Sequence, residues 1–430
     1  MIPQIELKST KEIAQFQNEK LQELMTYIAV KSIFYKNLFS KKNIDFKSIK
    51  TIEDLSKIPV TTKEDLQKNN DDFICVDKNK IIDYVTTSGT TGLPVFFGLT
   101  DKDLDRLAYN EAISFACSTV TKKDTIQLMT TIDRRFMAGL AYFLGARKLG
   151  AGIIRVGAGI PELQWDSIHK FKPTYLVVVP SFLLKMISYA EKNNIDINTS
   201  SVKGAICIGE PLKNQDFTQN VLSKKITDKW HINLYSTYAS TEMNTAFAEC
   251  EHQQGGHHHP ELIITEILDE NNNLVKNNEE GELVITTLGI EGMPLVRFKT
   301  GDIVKAHYNT CKCGRNTMRL GPVIGRKKQM IKYKGTTIYP PAMYDLLNNF
   351  NEIENYIIEI DKNEIETDRI TIKLFTKHKE KELLNKLKDH FRAKIRVSPN
   401  IQFITEEEIN KLKFPKMSRK PMLFIDKRKS

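Results

Sequence analysis

The sequence predicts an α/β protein in which a large N-terminal domain is followed by a small α+β domain, and three observations carry this prediction. The chain has 430 residues, about the length of two or three domains. Between about residues 81 and 245, short apolar runs alternate with helical patterns. After residue 245, alternating strands are joined by turns rich in Asn and Gly instead.

The first 75 residues are predicted to form helices with charged faces that pack on a core. In KEIAQFQNEKLQELMTYIAV, apolar side chains recur with roughly the helical period, at Ile13, Phe16, Leu21, Leu24 and Met25.

The region that follows is predicted to contain a largely parallel sheet. Its strand-like segments are TIQLMTTI, AGIIRVG, TYLVVVP, KGAICIGEP and HINLYSTYAS. Between them lie the helical patterns AGLAYFLGARKLG, LQWDSIHKF and SFLLKMISYAEKNN. Strands separated in this way favour right-handed crossovers and parallel pairing.

The later residues predict two further parts. ELIITEILDENNNLVKNNEEGELVITTL indicates hairpins and an antiparallel subdomain at about 246–325. From GRKKQM onward, strands and helices follow in a βαββαβ-like order that suits a separate α+β domain. We therefore expect an N-terminal domain at 1–326 and a small C-terminal domain at 327–430.

Composition and charge exclude several classes of protein. No apolar run approaches the roughly 20 residues of a membrane helix, and the first residues lack a signal-peptide pattern. A cytoplasmic protein without a membrane partner is expected. The net charge of +10 comes from 63 basic and 53 acidic residues without a nucleic-acid-binding motif. An anionic small molecule or an acidic protein is therefore a better partner than a nucleic acid.

The six cysteines do not indicate a disulfide framework. Cys75, Cys117 and Cys207 lie in apolar contexts and are expected to be inert core residues. The pair Cys311 and Cys313 points toward a metal instead.

A loop rich in Gly, Ser and Thr follows the strand-like IIDYV. Glycines let a backbone approach phosphate oxygens closely, and hydroxyls and amides donate hydrogen bonds to them. The loop is not a Walker A motif, because Leu93 follows Gly92 where that motif has lysine. From composition alone, a solvated turn and a nucleotide-phosphate site are equally open.

The order of residues 87–94 resembles the phosphate loop of the adenylate-forming superfamily, which includes acyl-CoA and aryl-CoA ligases. The resemblance implies that ATP phosphates bind at Thr87, Ser88, Gly89, Thr90, Thr91 and Gly92. Many members have lysine where this chain has Leu93. Magnesium and basic residues elsewhere must therefore offset the phosphate charge.

Further segments resemble the superfamily in its own order. GEP resembles the turn of the adenine pocket, with Glu210 and Pro211. In YASTE, the resemblance implies that Tyr238 stacks on adenine, Thr241 touches the α-phosphate and Glu242 binds Mg²⁺.

The remaining segments resemble the ribose site, the hinge and the catalytic lysine. RFKTGD implies that Asp302 binds the ribose hydroxyls. GRKKQMIKYKG resembles the hinge between two domains, with Arg326 reaching the nucleotide and Lys328 at the pivot. KMSRKPMLFID resembles the terminal segment when Asp426 is matched to the family's aspartate, which implies that Lys420 is catalytic.

The length and the short C-terminal domain resemble the phenylacetate-CoA ligase branch most. Three positions depart from the family pattern. Ala239 replaces a glycine, Lys328 stands where many relatives have a hinge aspartate, and Pro421 follows the proposed lysine.

Each site residue also has a simpler interpretation. Without the family pattern, Glu242 would be interpreted as a solvated carboxylate and Asp302 as a turn residue. Lys420 is one lysine of a basic tail, in which Lys416 and Arg419 are alternatives if the register is shifted. The family pattern gives these residues a chemical reason. Mg²⁺ keeps most of its waters and needs only one or two protein oxygens, such as those of Glu242. A cation at the α-phosphate, such as Lys420, stabilises the transition state.

A second group of residues is not needed for the nucleotide. CEHQQGGHHHPE and CKCGR supply Cys250, His257, Cys311 and Cys313, the donors of a closed tetrahedral zinc site. From the spacing alone, a zinc site is no more favoured than free cysteines and a solvated histidine-rich turn. A similar pattern in some phenylacetate-CoA-ligase-like proteins implies structural zinc, with His257 favoured over the two histidines that follow it.

The resemblance implies an ATP-dependent ligase. ATP·Mg²⁺ and a carboxylic acid would give an acyl-adenylate and pyrophosphate, with Lys420 and the Thr90 and Thr91 loop stabilising this step. The small domain would then turn about its hinge and admit a thiol. That thiol belongs either to CoA or to the phosphopantetheine of an acidic acyl carrier protein.

The resemblance favours an aromatic, phenylacetate-like acid. Phe136 from RRFMAGLAYF and Ala239 would line an apolar acyl pocket. Phe136 has an ordinary core interpretation as well. Arg134 or Arg135 would pair with a polar substituent or would simply be solvated.

Three alternative functions remain open. They are loading of a carrier protein, adenylation without a thioester step, and nucleotide binding without catalysis. Leu93 and Ala239 favour the last alternative, and Glu242, Asp302 and Lys420 argue against it. A homodimer is compatible with the sequence.

Overall fold

The computed structural model describes residues 2–87, 95–333, 336–362, 368–414 and 421–428, which belong to two units. The first unit spans Met1–Val323 and the second spans Ile324–Ser430. No helix in the described ranges is both long enough and apolar enough to cross a membrane.

The first unit contains eight of the described α-helices and thirteen of the described strands. The helices are α1 (Thr10–Lys31), α2 (Ile33–Lys42), α3 (Lys63–Lys68), α4 (Asp101–Cys117), α5 (Met137–Leu149), α6 (Pro161–Phe171), α7 (Pro180–Lys192) and α8 (Val221–Thr227). The strands are β1 (Asp83–Thr86), β2 (Phe96–Leu99), β3 (Thr125–Leu128), β4 (Gly152–Arg155), β5 (Tyr175–Val178), β6 (Gly204–Ile208), β7 (Asn233–Ser240), β8 (Thr245–Ala248), β9 (Gly256–His257), β10 (Ile263–Leu268), β11 (Glu280–Thr287), β12 (Phe298–His307) and β13 (Arg319–Leu320). Short 3₁₀ helices lie at Gln4–Leu7, Phe46–Ser48, Ile52–Lys57, Asn70–Phe73, Lys78–Lys80 and Ile197–Thr199.

The N-terminal segment is helical, as its periodicity predicts. Helix α1 begins at a capping box, in which the Ser9 side chain accepts from the Glu12 backbone and the Glu12 side chain accepts from the Ser9 backbone. Four of the five predicted apolar positions are buried, whereas Phe16 is only half-buried.

One mixed sheet runs through the first unit in the strand order β4-β3-β5-β6-β7-β8-β9-β13-β12-β11-β10. The five strands from β3 to β7 pair in parallel, which confirms the predicted parallel sheet. The antiparallel strands predicted for about 246–325 are present, and they continue this same sheet. The chain reverses directly after β7, so that Tyr238 pairs with Phe247 and β8 extends the same sheet.

A two-stranded hairpin carries the Gly- and Thr-rich loop outside this sheet. Strands β1 and β2 pair antiparallel up to Thr86 and Phe96. The Thr87 backbone N–H donates to the Val95 carbonyl at 2.9 Å, and the Thr87 hydroxyl accepts from the Val95 N–H at 3.1 Å. These bonds close the neck of the loop, whose residues 88–94 lie outside the described residues.

Apolar side chains fill both faces of the sheet. On the parallel part, α6 and α7 cover a core in which the Trp165 and Trp230 rings stack with centroids 5.2 Å apart. On the antiparallel part, α1 and α2 bury residues such as Leu21 and Tyr35 against the strands that carry Ile263 and Phe298. The second core fixes the N-terminal helices against β10 and β12.

The second unit is an α+β domain, as predicted. Its helices are α9 (Pro340–Asn348), α10 (Glu380–Ile395) and α11 (Glu406–Lys413). Its strands are β14 (Gly325–Arg326), β15 (Ile331–Tyr333), β16 (Thr336–Ile338), β17 (Asn355–Lys362), β18 (Asp368–Phe375), β19 (Asn400–Phe403) and β20 (Phe424–Asp426), and a 3₁₀ helix lies at Lys327–Gln329. A four-stranded sheet has the order β19-β18-β17-β20, with only β17 and β18 antiparallel.

Helix α11 was not predicted from the sequence. Its N-cap is Thr405, whose side chain forms a capping box with Glu408, and the helix buries Ile409. The capping residues were a usable signal. The single buried apolar residue gave no periodicity, which explains the omission.

A buried carboxyl group in α4 makes the stability of the fold depend on pH. Glu111 packs so closely against α5 that the space beside Gly145 would not hold a Cβ. Its Oε1 accepts from Asn110 Nδ2 at 3.1 Å. Burial raises the pKa of Glu111 to about 8.

We expect Glu111→Gln to flatten the pH dependence of stability. A carboxyl whose pKa rises on folding, here from 4.5 to about 8, contributes stability below pH 4.5 that is lost as the pH rises through about 8. In the wild type this group should lower the free energy of unfolding by up to about 1.4 kcal/mol per pH unit in that window. Urea unfolding across the window measures the slope. Exposed Glu19→Gln should keep the wild-type slope, and an equal slope in Glu111→Gln would contradict the assignment.

Candidate active site

Two predicted site residues that are far apart in sequence meet at one place in the first unit. Tyr238 lies near the end of β7, and its hydroxyl donates to Asp302 Oδ2 in β12 at 2.7 Å. Asp302 is 7% exposed, and its backbone N–H donates to Thr300 Oγ1 at 3.1 Å. A half-buried aromatic ring therefore stands beside a carboxylate that accepts a bond from its hydroxyl, while the Asp302 backbone is held by Thr300. Such a pair can hold a flat ring and a neighbouring hydroxyl.

A buried ion pair fixes the start of β12. The Arg297 backbone has a φ of +47°, which residues other than glycine rarely adopt. Its Nη2 lies 2.9 Å from Glu266 Oε1 in β10. Its Nε donates to both Glu266 oxygens, and its Nη1 donates to the Ile58 carbonyl at 2.6 Å. Burial raises the pKa of Glu266, and the Arg297 guanidinium opposes this shift. Removing one partner of such a pair leaves a buried charge, so the contact holds the strand that carries Asp302.

The other residues of YASTE lie beside Tyr238. Ala239 is exposed, and Thr241 and Glu242 are half-buried in the turn between β7 and β8. Asn244 closes this turn with a φ of +49°, and its side chain donates to the Thr241 carbonyl at 2.9 Å. The turn thus holds Glu242 half-buried directly after β7.

Phe136 lies at the N-terminus of α5 and lines a cavity of about 270 Å³ beside β1. The Thr86 N–H donates to the Arg135 carbonyl at 3.0 Å, which ties this segment to the neck of the Gly- and Thr-rich loop. Arg134 and Arg135 are exposed and both have positive φ. The cavity also contains Asp83, whose pKa is raised by burial, so its lining is partly polar.

Glu210 has a structural partner in helix α7. Its carboxylate accepts from the Ser181 backbone N–H at 2.8 Å and from the Ser181 hydroxyl at 2.9 Å. Gly209 before it has a φ of +79°, and Pro211 after it is exposed. The carboxylate therefore caps the first turn of α7, a contact that sequence reasoning did not anticipate.

Several predicted residues lie outside the described residues. They are Ser88, Gly89, Thr90, Thr91 and Gly92 of the loop, together with Lys420 and its alternatives Lys416 and Arg419. Arg326 and Lys328 are described and exposed in the second unit.

The four predicted metal ligands form one cluster, hereafter the Cys/His cluster: Cys250, His257, Cys311 and Cys313. Their ligand atoms all lie within 4.8 Å of one another. The Cys250 and Cys311 sulfurs are 3.7 Å apart, and Cys313 Sγ lies 3.5 Å from His257 Nε2. Strand β9 places His257, and the turn between β12 and β13 places the last two cysteines.

Neighbouring groups orient the Cys/His cluster. His257 Nδ1 lies 3.2 Å from Thr317 Oγ1, which turns Nε2 toward the sulfurs. Burial lowers the pKa of His257. Hydrogen bonds from Cys250, His257 and Arg315 lower the pKa of the Cys313 thiol. Thiolates and a neutral imidazole are the donors that Zn²⁺ prefers in a tetrahedral site.

The two histidines after His257 have other partners. His258 Nε2 lies 2.6 Å from the Ile263 carbonyl. His259 Nδ1 lies 2.5 Å from Glu6 Oε1, and Arg315 Nε donates to Glu6 Oε2 at 2.6 Å. Since Arg315 Nη1 also lies 3.4 Å from Cys313 Sγ, the buried Glu6 links the N-terminal segment to the Cys/His cluster.

The remaining cysteines are core residues, as expected. Cys75, Cys117 and Cys207 are buried. Burial raises the pKa of Cys75 to about 12 and raises the pKa of the other two thiols as well. Thiols held in the protonated form are poor nucleophiles and poor metal ligands.

The chain is similar to several known proteins. Residues 13–291 match the family described as AMP-binding enzyme. Phenylacetate-coenzyme A ligase of Thermus thermophilus is 27% identical over 378 residues, which cover 86% of this chain and 83% of that protein. Phenylacetate-coenzyme A ligase of Aromatoleum evansii is 28% identical over 376 residues, which cover 86% of this chain and 83% of that protein. The structure of 2-hydroxyisobutyryl-CoA ligase in its postadenylation state matches with a TM-score of 0.85 at 21% identity, over 99% of this chain and 92% of that one.

Proposed function

The chain belongs to the AMP-binding enzyme family, and we propose that it joins a carboxylic acid to the thiol of CoA through an acyl-adenylate. The contact between Tyr238 and Asp302 carries this proposal. Asp302 would accept from the ribose hydroxyls and Tyr238 would stack on adenine, and the α-phosphate would then lie near the turn that carries Glu242. The two relatives named phenylacetate-coenzyme A ligases support the reaction class.

In the first step, a carboxylate oxygen of the acid attacks the α-phosphorus in line. The bond from the α-phosphorus to the bridging oxygen breaks, and pyrophosphate leaves. Negative charge builds on the transferring oxygens, so cations and hydrogen-bond donors aimed there lower the barrier. We assign this role to Lys420, Thr90 and Thr91, with Thr241 at the α-phosphate and Glu242 holding hydrated Mg²⁺.

In the second step, a thiolate attacks the acyl carbon and AMP leaves with the electron pair of the anhydride bond. The second unit would turn about a hinge at Lys328 to admit the thiol, as the family resemblance implies. CoA is the proposed acceptor because the curated relatives and the similar solved structure are named as CoA ligases.

The proposed acid is an aryl or arylacetic acid. Phe136, which lines the cavity of about 270 Å³ beside β1, supports a flat aryl group. Asp83 and Arg135 at the same cavity would favour an acid that also carries a polar substituent.

We also propose that the Cys/His cluster holds a structural zinc ion. Three thiolates and one imidazole fill a tetrahedral shell and leave no position for substrate. The ion would pin the turn between β12 and β13 to β8 and β9, beside the strand that carries Asp302. Zinc is thus expected to stabilise the site without taking part in the reaction.

Exchange of pyrophosphate into ATP tests adenylation, with magnesium and a screen of aryl, arylacetic and small aliphatic acids. We expect one acid class to drive exchange and Lys420→Ala to lower it at least about 100-fold, because the lost cation acts on the transition state. The affinity for ATP should change by less than about threefold.

Variants of nearby cations sharpen this test. Exposed Lys411→Ala in α11 should keep the wild-type exchange rate. If Lys416→Ala or Arg419→Ala loses pyrophosphate exchange and Lys420→Ala does not, the catalytic cation is that other residue. The matching of the terminal segment to the family would then have to be shifted. If no acid drives exchange although ATP binds, the ligase proposal is wrong.

Metal analysis of the purified protein tests the zinc proposal. We expect about one zinc ion per chain, and about none in Cys313→Ser, because a hydroxyl is a weak zinc ligand. The midpoint of thermal unfolding should fall by about 5 °C or more. Cys207→Ser, a buried thiol in β6 away from the cluster, should keep its zinc. Equal zinc content in the wild type and Cys313→Ser would sink the assignment.

A further inference from the structure

Three segments of the second unit meet at the side chain of Arg428. The side chain is 13% exposed, and its guanidinium holds Asp426 with two bonds, Nε to Oδ1 at 2.9 Å and Nη2 to Oδ2 at 2.7 Å. Its Nη1 also donates to Asp368 Oδ2 at 3.0 Å. One cation therefore bridges the end of β20 and the start of β18.

The same guanidinium binds main-chain oxygens near the proposed hinge. Nη1 donates to the Met330 carbonyl at 2.8 Å, and Nη2 lies 3.4 Å from the Lys328 carbonyl. The Lys332 N–H in turn donates to Asp368 Oδ2 at 2.8 Å. Backbone at 328–332 is thus held by one arginine and one aspartate.

This contact differs from the other arginine–aspartate fork in the same sheet. Arg369 pairs with Asp361 through two bonds of 2.7 Å, but its side chain is 58% exposed. An exposed pair of this kind contributes little to stability. Arg428 uses its planar set of donors on two carboxylates and two carbonyls at once, which a lysine cannot reproduce.

The position of Arg428 connects two elements that the proposed reaction needs. Strand β20 is the end of the terminal segment KMSRKPMLFID that contains Lys420, and the Met422 N–H donates to the Lys413 carbonyl at 2.8 Å at the base of that segment. On the other side, the backbone held by Arg428 includes Lys328. In β17, Ile360 pairs with Asp426 and Lys362 pairs with Asp368, so both carboxylates lie at one end of the sheet.

We propose that Arg428 is a positioning residue that locks the backbone at 328–332 to the base of the terminal lysine segment, so that both turn as one body. This inference rests on the proposed two-step reaction, in which the second unit adopts two orientations. A loose connection would let the hinge turn without carrying the lysine with it. The lock therefore affects both steps, although Arg428 itself touches no substrate.

Arg428→Gln, Arg428→Lys and the matched control Arg369→Gln test the lock. Each half-reaction is measured separately, by pyrophosphate exchange and by single-turnover transfer from preformed acyl-adenylate to CoA. We expect both Arg428 variants to lower both rates at least about tenfold, because the set of contacts to two carboxylates and two carbonyls is lost. ATP affinity should stay within about twofold of the wild type, since Tyr238 and Asp302 belong to the first unit. Arg369→Gln should keep both rates.

Amide hydrogen exchange gives a readout that does not depend on the reaction. We expect exchange at 328–332 to accelerate in Arg428→Gln and to stay unchanged in Arg369→Gln. If Arg428→Gln does not fold, Asp368→Asn retains the pair with Asp426 and should loosen the same segment.

The outcomes separate this inference from the proposed function. Wild-type rates in Arg428→Gln, or equal losses in Arg369→Gln, would overturn the positioning role. Unchanged amide exchange at 328–332 would overturn it as well. If the wild type adenylates no acid, the proposed function fails, and accelerated amide exchange in Arg428→Gln would still establish the contact as the lock of this segment.

Discussion

The pairing of β7 with two different partners is the constraint on which the candidate site depends. β7 pairs in parallel with β6 and antiparallel with β8, so the sheet changes direction at this strand. The chain must reverse within the turn that carries Glu242, and Tyr238 lies directly before it. The strands that return to the sheet then bring Asp302 and the Cys/His cluster to the same half of the unit.

Buried ionic contacts outside the site hold the returning strands in place. Arg297, the residue before β12, pairs with Glu266, and Glu6 joins Arg315 and His259 beside the Cys/His cluster. The charged groups in such contacts are costly to desolvate, so each pair adds little net stability. Removing one partner is strongly destabilising because the other charge stays buried. They join the residue before β12 to β10, and the N-terminal segment to the residues beside the Cys/His cluster.

Much of the fold could be predicted from sequence because its signals are local. Alternating strands and helices indicate the parallel sheet, and the motifs CEHQQGGHHHPE and CKCGR indicate the four cysteine and histidine residues that lie together in the fold. The continuity of the sheet across β7 and β8, the cap that Glu210 places on α7, and the contact of Glu6 with Arg315 could not be predicted in this way. Each depends on pairing in the folded chain, and side-chain pairing at a distance leaves no periodic pattern in the sequence.

A crystal structure of the protein with AMP and Mg²⁺ tests the central claim most directly, which is that the Tyr238 and Asp302 pair forms the nucleoside site. The account predicts the adenine ring against Tyr238, the ribose hydroxyls within hydrogen-bond distance of the Asp302 carboxylate, and the metal ion on the side of Glu242. Nucleotide bound elsewhere in the first unit, with the bond between Tyr238 and Asp302 intact and neither residue in contact with it, would contradict the account.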